Sequence, residues 1–135
     1  MLGLARARDL ALFATGLVFA VALHVTDPAE TSSFPTCPFF AITGRYCPGC
    51  GTLRCLHALL HADLRSAVGF NAMTVILLPA VLAAWLSVGS AGIRGRRPVE
   101  PWRVPGWMGW AVAGALAVFW VLRNLPVGAF SWMAP

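Results

Sequence analysis

Three long apolar runs alternate with two more polar stretches along this chain, and their lengths predict its elements. The first run, "LALFATGLVFAVALHV", covers Leu10–Val25. It is about a turn short of the ~20 residues that cross a bilayer, but Ala7 and the aliphatic stems of Arg6 and Arg8 extend it. The second, "AMTVILLPAVLAAWLSV" (Ala72–Val88), follows Asn71, a residue suited to a helix N-cap. Pro79 lies inside this run, where a proline kinks a helix and frees one carbonyl. The third, "WMGWAVAGALAVFWVL" (Trp107–Leu122), ends at Arg123 and Asn124. The pattern predicts spans over about residues 8–25, 72–89 and 106–122. A cysteine-bearing segment over 26–70 and a basic loop over 90–105 join them.

The 26–70 segment reads in two halves. Pro, Gly, Ser and Thr make it irregular up to Gly51. From Thr52, Leu53, Leu56, Leu60 and Leu64 recur at helical spacing and form one apolar stripe. Arg54, His57, His61 and Arg65 line the opposite face, and Asp63 is placed to cap a fresh turn leading to Gly69 and Asn71. An amphipathic helix beside a membrane lies along the interface or packs on the spans.

Composition turns apolar runs into a fold class. The chain has 135 residues, of which 59% are hydrophobic and 11% charged, with a mean hydropathy of +0.74. A soluble domain this small cannot bury so much apolar surface. The expected class is therefore an all-α integral membrane protein: three transmembrane helices and one amphipathic interfacial helix, in a single membrane domain over 1–135. All ten basic residues are arginines, giving a net charge of +5. They gather at the ends of apolar runs rather than in one stripe, which argues against nucleic acid as a partner and for lipid.

Charge also orients the chain. Arg6 and Arg8 precede the first span, and Arg94, Arg96, Arg97 and Arg103 lie between the second and third. By the positive-inside rule that side is cytoplasmic, which puts the cysteine segment and the C-terminus outside. The loop "GSAGIRGRRPVEP" suits contact with anionic headgroups. Trp102, Trp107 and Trp110 mark one interface and Trp120 and Trp132 the other. A basic start and "AVA" at Ala20–Ala22 also fit a cleavable signal peptide, but the apolar run continues through that point and favours an uncleaved anchor.

The chemistry is concentrated in "CPFFAITGRYCPGCGTLRCLHALLH", residues 37–61, with all four cysteines and two of three histidines. C-P-x-C-G is the knuckle of rubredoxins and zinc ribbons, and C-x-x-C at a helix start is a redox motif. The redox reading makes Cys47 the nucleophile and Cys50 the resolving thiol, with Arg54 stabilising the thiolate; the βαβ pattern that usually surrounds it is absent. The metal reading gathers Cys37, Cys47 and Cys50 around zinc, with Cys55, His57, His61 or water as further candidate ligands. His57 lies about 10 Å along a helix from Cys50, too far to share an ion without strain. Outside the cytoplasm a third reading arises, a disulfide from Cys37 to Cys47 or Cys50 worth about 3 kcal/mol. These alternatives stay open at the level of sequence.

Cys37, Pro38, Thr43, Gly44, Cys47, Pro48, Gly49, Cys50, Gly51 and Arg54, followed by Asp63, Leu64 and Asn71, resemble the signature C-P-x4-T-G-x2-C-P-G-C-G of a family of small bacterial membrane proteins, domain-of-unknown-function family 2752. Cys55 stands outside that signature, and "HAD" replaces its common Gly-Asp. The resemblance implies a bacterial plasma membrane and draws attention to Cys37, Cys47 and Cys50, without naming a reaction.

No general base, nucleophile pair or phosphate loop accompanies the cysteines, and Thr15, His24, Thr74 and Ser87 trace no transport path by their spacing. The expected role is therefore a disulfide- or metal-stabilised platform that docks a membrane or envelope partner or a second copy, rather than an enzyme. The alternatives are a thiol–disulfide oxidoreductase and a zinc-binding or zinc-sensing protein.

Overall fold

The computed structural model describes residues 2–29, 37–95 and 105–125. Five helices follow one another: α1 (Leu2–Val25), α2 (Pro38–Thr43), α3 (Thr52–Leu60), α4 (Leu64–Arg94) and α5 (Gly106–Arg123). There is no strand among the described residues. Trp102, Trp132 and the arginines at 96, 97 and 103 lie outside them.

Three helices are long and apolar enough to cross a membrane: Gly3–Val25, Leu64–Arg94 and Gly106–Arg123. Only 11%, 6% and 11% of their most apolar stretches are buried within the protein, and Val18, Val21, Ile76, Val81 and Val118 are exposed. Apolar surface that the chain leaves uncovered to this extent fits hydrocarbon, not water. The fold class read from the sequence therefore stands: an all-α protein with three apolar spans and a cysteine-rich region after the first.

Contacts divide the chain into two compact units. The first comprises Met1–Ala22 and Leu77–Arg103. There α1 meets α4 through small residues: a Cβ at Gly16 would land on the Trp85 indole, and one at Gly89 on the Phe13 ring. Phe13 and Trp85 stack with centroids 4.4 Å apart. Arg6 donates to the carbonyls of Gly92 and Ile93, at 3.0 and 3.3 Å. A cation thus satisfies the last carbonyls of α4.

The second unit comprises Leu23–Ile76 and Val104–Pro135 and holds every cysteine. Its core is Cys55, Ala58 and Ala67, with Leu59, Phe70 and Val75 packed around them. The buried side of α3 is therefore the Cys55–Ala58 side; Leu60 and Leu64 are exposed. Small residues let α3 approach α4 closely, while Leu53 and Leu56 of the leucine stripe are half-buried.

Two local features depart from the sequence expectation. Residues 38–43 are helical, not irregular: Pro38 takes the first helical position, where its missing N–H is no loss, and Gly44 closes the helix at φ 66°. The helix of the second span, restarting at Asn71, passes through Pro79 and continues to Arg94. Asp63 and Asn71 act as the expected caps. The Ser66 amide donates to Asp63 at 3.0 Å, and hydrogen bonds from Ser66 hold this carboxyl below its usual range. Asn71 is extended (φ −163°, ψ 92°), and its Oδ1 accepts from the Thr74 amide at 3.0 Å, so α4 breaks and restarts there.

Candidate metal centre

The knuckle closes in two tight turns and a glycine with positive φ. The Cys50 amide donates to the Cys47 carbonyl and the Thr52 amide to that of Gly49, both at 3.1 Å. Gly51, at φ 80°, turns the chain from this tight loop into α3. The Cys47 amide donates to Cys50 Sγ at 3.2 Å.

Cys37 joins them from the start of α2. Its Sγ lies 3.5 Å from Cys47 Sγ, Cys47 Sγ is 3.1 Å from Cys50 Sγ, and all three sulfurs lie within 4.8 Å of one another. Bonds of about 2.3 Å at tetrahedral angles place sulfurs about 3.8 Å apart around zinc. The separations of 3.5 and 3.1 Å fall a little short of that value and all three sulfurs lie within 4.8 Å, so the cluster could hold a metal ion.

All four cysteines are free thiols. The disulfide expected as one alternative is therefore not a feature of this structure, since the closest sulfurs stand well beyond the ~2.05 Å of a bond. The backbone amide of Phe40 draws the Cys37 thiol below its ordinary value. Burial, then the hydrogen bond with Cys47, pushes the Cys50 thiol up to about 12. Cys50 is therefore a neutral thiol at pH 7 when nothing else compensates its charge, and a bound cation would supply that compensation.

The further candidates lie elsewhere. Cys55 is fully buried in the α3–α4 core, its Sγ donating to the Asn71 carbonyl at 3.6 Å, and burial pushes its thiol up. His57 donates Nδ1–H to the Leu23 carbonyl at 2.7 Å, and His61 to that of His57 at 2.9 Å. His61 stacks on His24 and lies tilted by 38° against His57, with centroids 4.3 Å apart in each pair, and the Nδ1 atoms of His57 and His61 are both tied to backbone carbonyls. Arg54, expected near the thiols, makes no hydrogen bond or ion pair with a described residue.

Two asparagines hold the knuckle from either side. Asn71, 2% exposed, donates from Nδ2 to the carbonyls of Pro48 at 2.9 Å and Cys50 at 3.2 Å, and to Thr52 Oγ1 at 3.3 Å. Thr52 and Thr74 hydroxyls meet at 3.1 Å. Asn124, just past α5, accepts from the Tyr46 amide at 2.9 Å and donates to its carbonyl at 2.8 Å, a paired clamp on the residue before Cys47. Arg123 lies beside it, 3% exposed. These α5 residues are absent from the sequence-derived site. The available signal was "RN" directly after an apolar run, which reads equally well as an ordinary span end.

The match that bears on identity begins at the first of these sulfurs. A family model described as "Protein of unknown function (DUF2752)" matches residues 37–85. Residues 37–85 are similar to DUF2752. The resemblance drawn from the signature is thereby shown. The segment contains the three sulfurs, α3 and the Asn71 break in α4, whereas Arg123 and Asn124 lie outside it. Neither curated proteins nor solved structures provide a match to the chain.

Proposed function

We propose that the DUF2752 segment binds one zinc-class divalent ion through Cys37, Cys47 and Cys50, and that the ion locks the knuckle as a docking platform at the membrane surface. The observation that carries this reading is the convergence of three sulfurs within 4.8 Å. Three thiolates leave a tetrahedral ion one open position. Water fills it in the isolated protein, and a donor from a membrane or envelope partner, or from a second copy, fills it on docking. The arginine distribution supports an N-terminus in the cytoplasm and a cysteine segment outside a bacterial plasma membrane. In that compartment a bound ion also protects the thiols from oxidation.

Elemental analysis of the purified full chain tests the metal. About one zinc per chain is expected, and Cys37→Ser, Cys47→Ser or Cys50→Ser should each lower it while Cys55→Ser does not. Metal-free protein with its thiols blocked would favour the disulfide. An impermeant maleimide applied to intact cells tests the side: thiols that react only after lysis overturn the external placement.

A second reading draws on the 3.1 Å approach of Cys47 and Cys50 Sγ, which suits a dithiol that cycles with a partner's disulfide. Thiolate attack by Cys47 on that disulfide would form a mixed disulfide, and Cys50 would resolve it, leaving this pair oxidised and the partner reduced. A Cys50→Ser variant should then trap the mixed disulfide, and an empty trap removes this reading.

A further inference from the structure

Arg123 is the most costly group in the second unit. Its side chain is 3% exposed. Among the described residues only Nη2 has an acceptor, the Phe70 carbonyl at 3.0 Å, and Nε and Nη1 are buried with no partner there. The rings of Tyr46 and Phe119 each lie 5.6 Å from the guanidinium carbon, which offsets part of the desolvation. Arginine does not lose its proton, so a buried guanidinium requires a compensating negative charge. Among the described residues the acidic groups close enough to act on its charge are the Cys50 and Cys47 thiols and the Tyr46 phenol, with no carboxylate. It is also held between both supports of the knuckle, by Phe70 next to Asn71 and by Tyr46 next to Cys47.

Resting on the proposed metal site, we infer that Arg123 is the built-in counter-charge of the three-sulfur centre and selects for ions that leave it with one negative charge. A divalent ion binding three thiols releases three protons, and three thiolates with that ion carry one net negative charge. The guanidinium cancels it within a low-dielectric interior. A trivalent centre held by the same thiolates is already neutral and gains nothing from Arg123. Arginine here is a positioning and charge-balancing group, not a ligand.

The test uses this difference in charge at fixed geometry, with reduced full-length protein in detergent. Cobalt(II), read by its thiolate charge-transfer absorbance against a competing chelator, is the divalent probe. Arsenous acid is the trivalent one: it takes three thiols, forms three As–S bonds and releases three waters. Loss of one unit charge about 6–12 Å away, at an effective dielectric of about 20, predicts about tenfold to a hundredfold weaker cobalt binding in Arg123→Met. Arsenite affinity should stay within about threefold on the same argument, and Arg123→Lys should restore cobalt binding to within about threefold. Equal weakening of both probes, or of neither, overturns the counter-charge role while leaving the metal reading intact. If Arg123→Met does not fold, Arg123→Lys decides: near-native cobalt affinity supports the role, and a loss of about tenfold overturns it. Wild-type protein that binds no cobalt overturns the metal reading and this inference together.

Discussion

Asn71 joins the membrane span to the sulfur knuckle through two chemically different ends, so substitutions there separate the two jobs. Its Oδ1 accepts from the Thr74 amide at 3.0 Å and restarts α4; its Nδ2 serves the Pro48 and Cys50 carbonyls at 2.9 and 3.2 Å. Asn71→Ala removes both. Losing an N-cap costs about 1 kcal/mol, and each buried carbonyl left without its donor costs about 1 kcal/mol more. The sum is about 3 kcal/mol, roughly a hundredfold in the ratio of closed to open knuckle. Asn71→Asp keeps the accepting oxygen and hence the cap, but turns a carboxylate oxygen toward two carbonyls. It should open the knuckle at least as far as alanine does while leaving the helix intact.

Two measurements on detergent-solubilised protein separate these effects. Maleimide labelling of Cys47 and Cys50 reads the knuckle, and far-ultraviolet circular dichroism reads α4. For both variants labelling should accelerate, and cobalt affinity should fall by about tenfold to a hundredfold as the closed state is depopulated. Helicity should fall slightly in Asn71→Ala and not in Asn71→Asp. An Asn71→Asp protein with native labelling rate and native cobalt affinity refutes the reasoning, because it would show that the Nδ2 donors do not hold the knuckle shut.

Other perturbations address the remaining supports. Asn124→Ala removes the paired clamp on Tyr46 and should destabilise the second unit by about 2 kcal/mol, read as a lower midpoint in a thermal melt. Gly51→Val places a β-branched residue at φ 80° and should cost more than about 1 kcal/mol, with weaker metal binding; Gly49→Ala, where φ is not positive, should be milder. In metal-free protein the Cys50 thiol, raised from an ordinary 9.0 to about 12, makes stability fall with rising pH. Above the lower value the unfolded chain has lost this proton and the folded one still holds it, so the loss runs between those two values. A denaturation series over that range, compared with Cys50→Ser, checks it. In the same metal-free protein iodoacetamide at neutral pH should modify Cys37, whose thiol is drawn down by the Phe40 amide, well before buried Cys50 and Cys55, as peptide mapping would show.

The sequence revealed what depends on composition and short-range spacing. Three apolar runs became three long helices, and Asp63 and Asn71 became caps, because these features depend on residues within one or two turns. The convergence of Cys37 with Cys47 and Cys50 was also legible, since prolines and glycines fold ten residues back on themselves. What stayed hidden involved long separation. Tyr46 and Asn124 are 78 positions apart, and Phe70 and Arg123 are 53 apart. No local pattern encodes such pairs. The face of α3 was a different problem: a leucine stripe looks like the packed side, yet Cys55 and Ala58 are buried because only small residues admit α4 so closely. In a membrane protein the larger apolar face belongs to lipid, and hydrophobicity alone does not tell inside from outside.

The placement of polar groups carries the functional argument further than the sulfurs alone. A chain surrounded by hydrocarbon loses stability for each buried polar atom it leaves unpaired, and the span hydroxyls are satisfied locally: Thr15 bonds the carbonyl of Ala11 and Ser87 that of Ala84, within their own helices, while the Trp85 Nε1 is left without a partner among the described residues. Around the knuckle the rule changes. Asn71 and Asn124 reach from two spans to fix the backbone on both flanks of the cysteines, and Arg123 stays charged in the interior with two nitrogens lacking a partner among the described residues. A loop held only as a tether between helices needs neither long-range amides nor a buried cation. The combination is understandable if the loop must present its sulfurs in one geometry and if those sulfurs become negative. A cysteine cluster kept as neutral thiols would give the guanidinium no counter-charge at all, so the arginine itself argues that the working state of this site is a thiolate state.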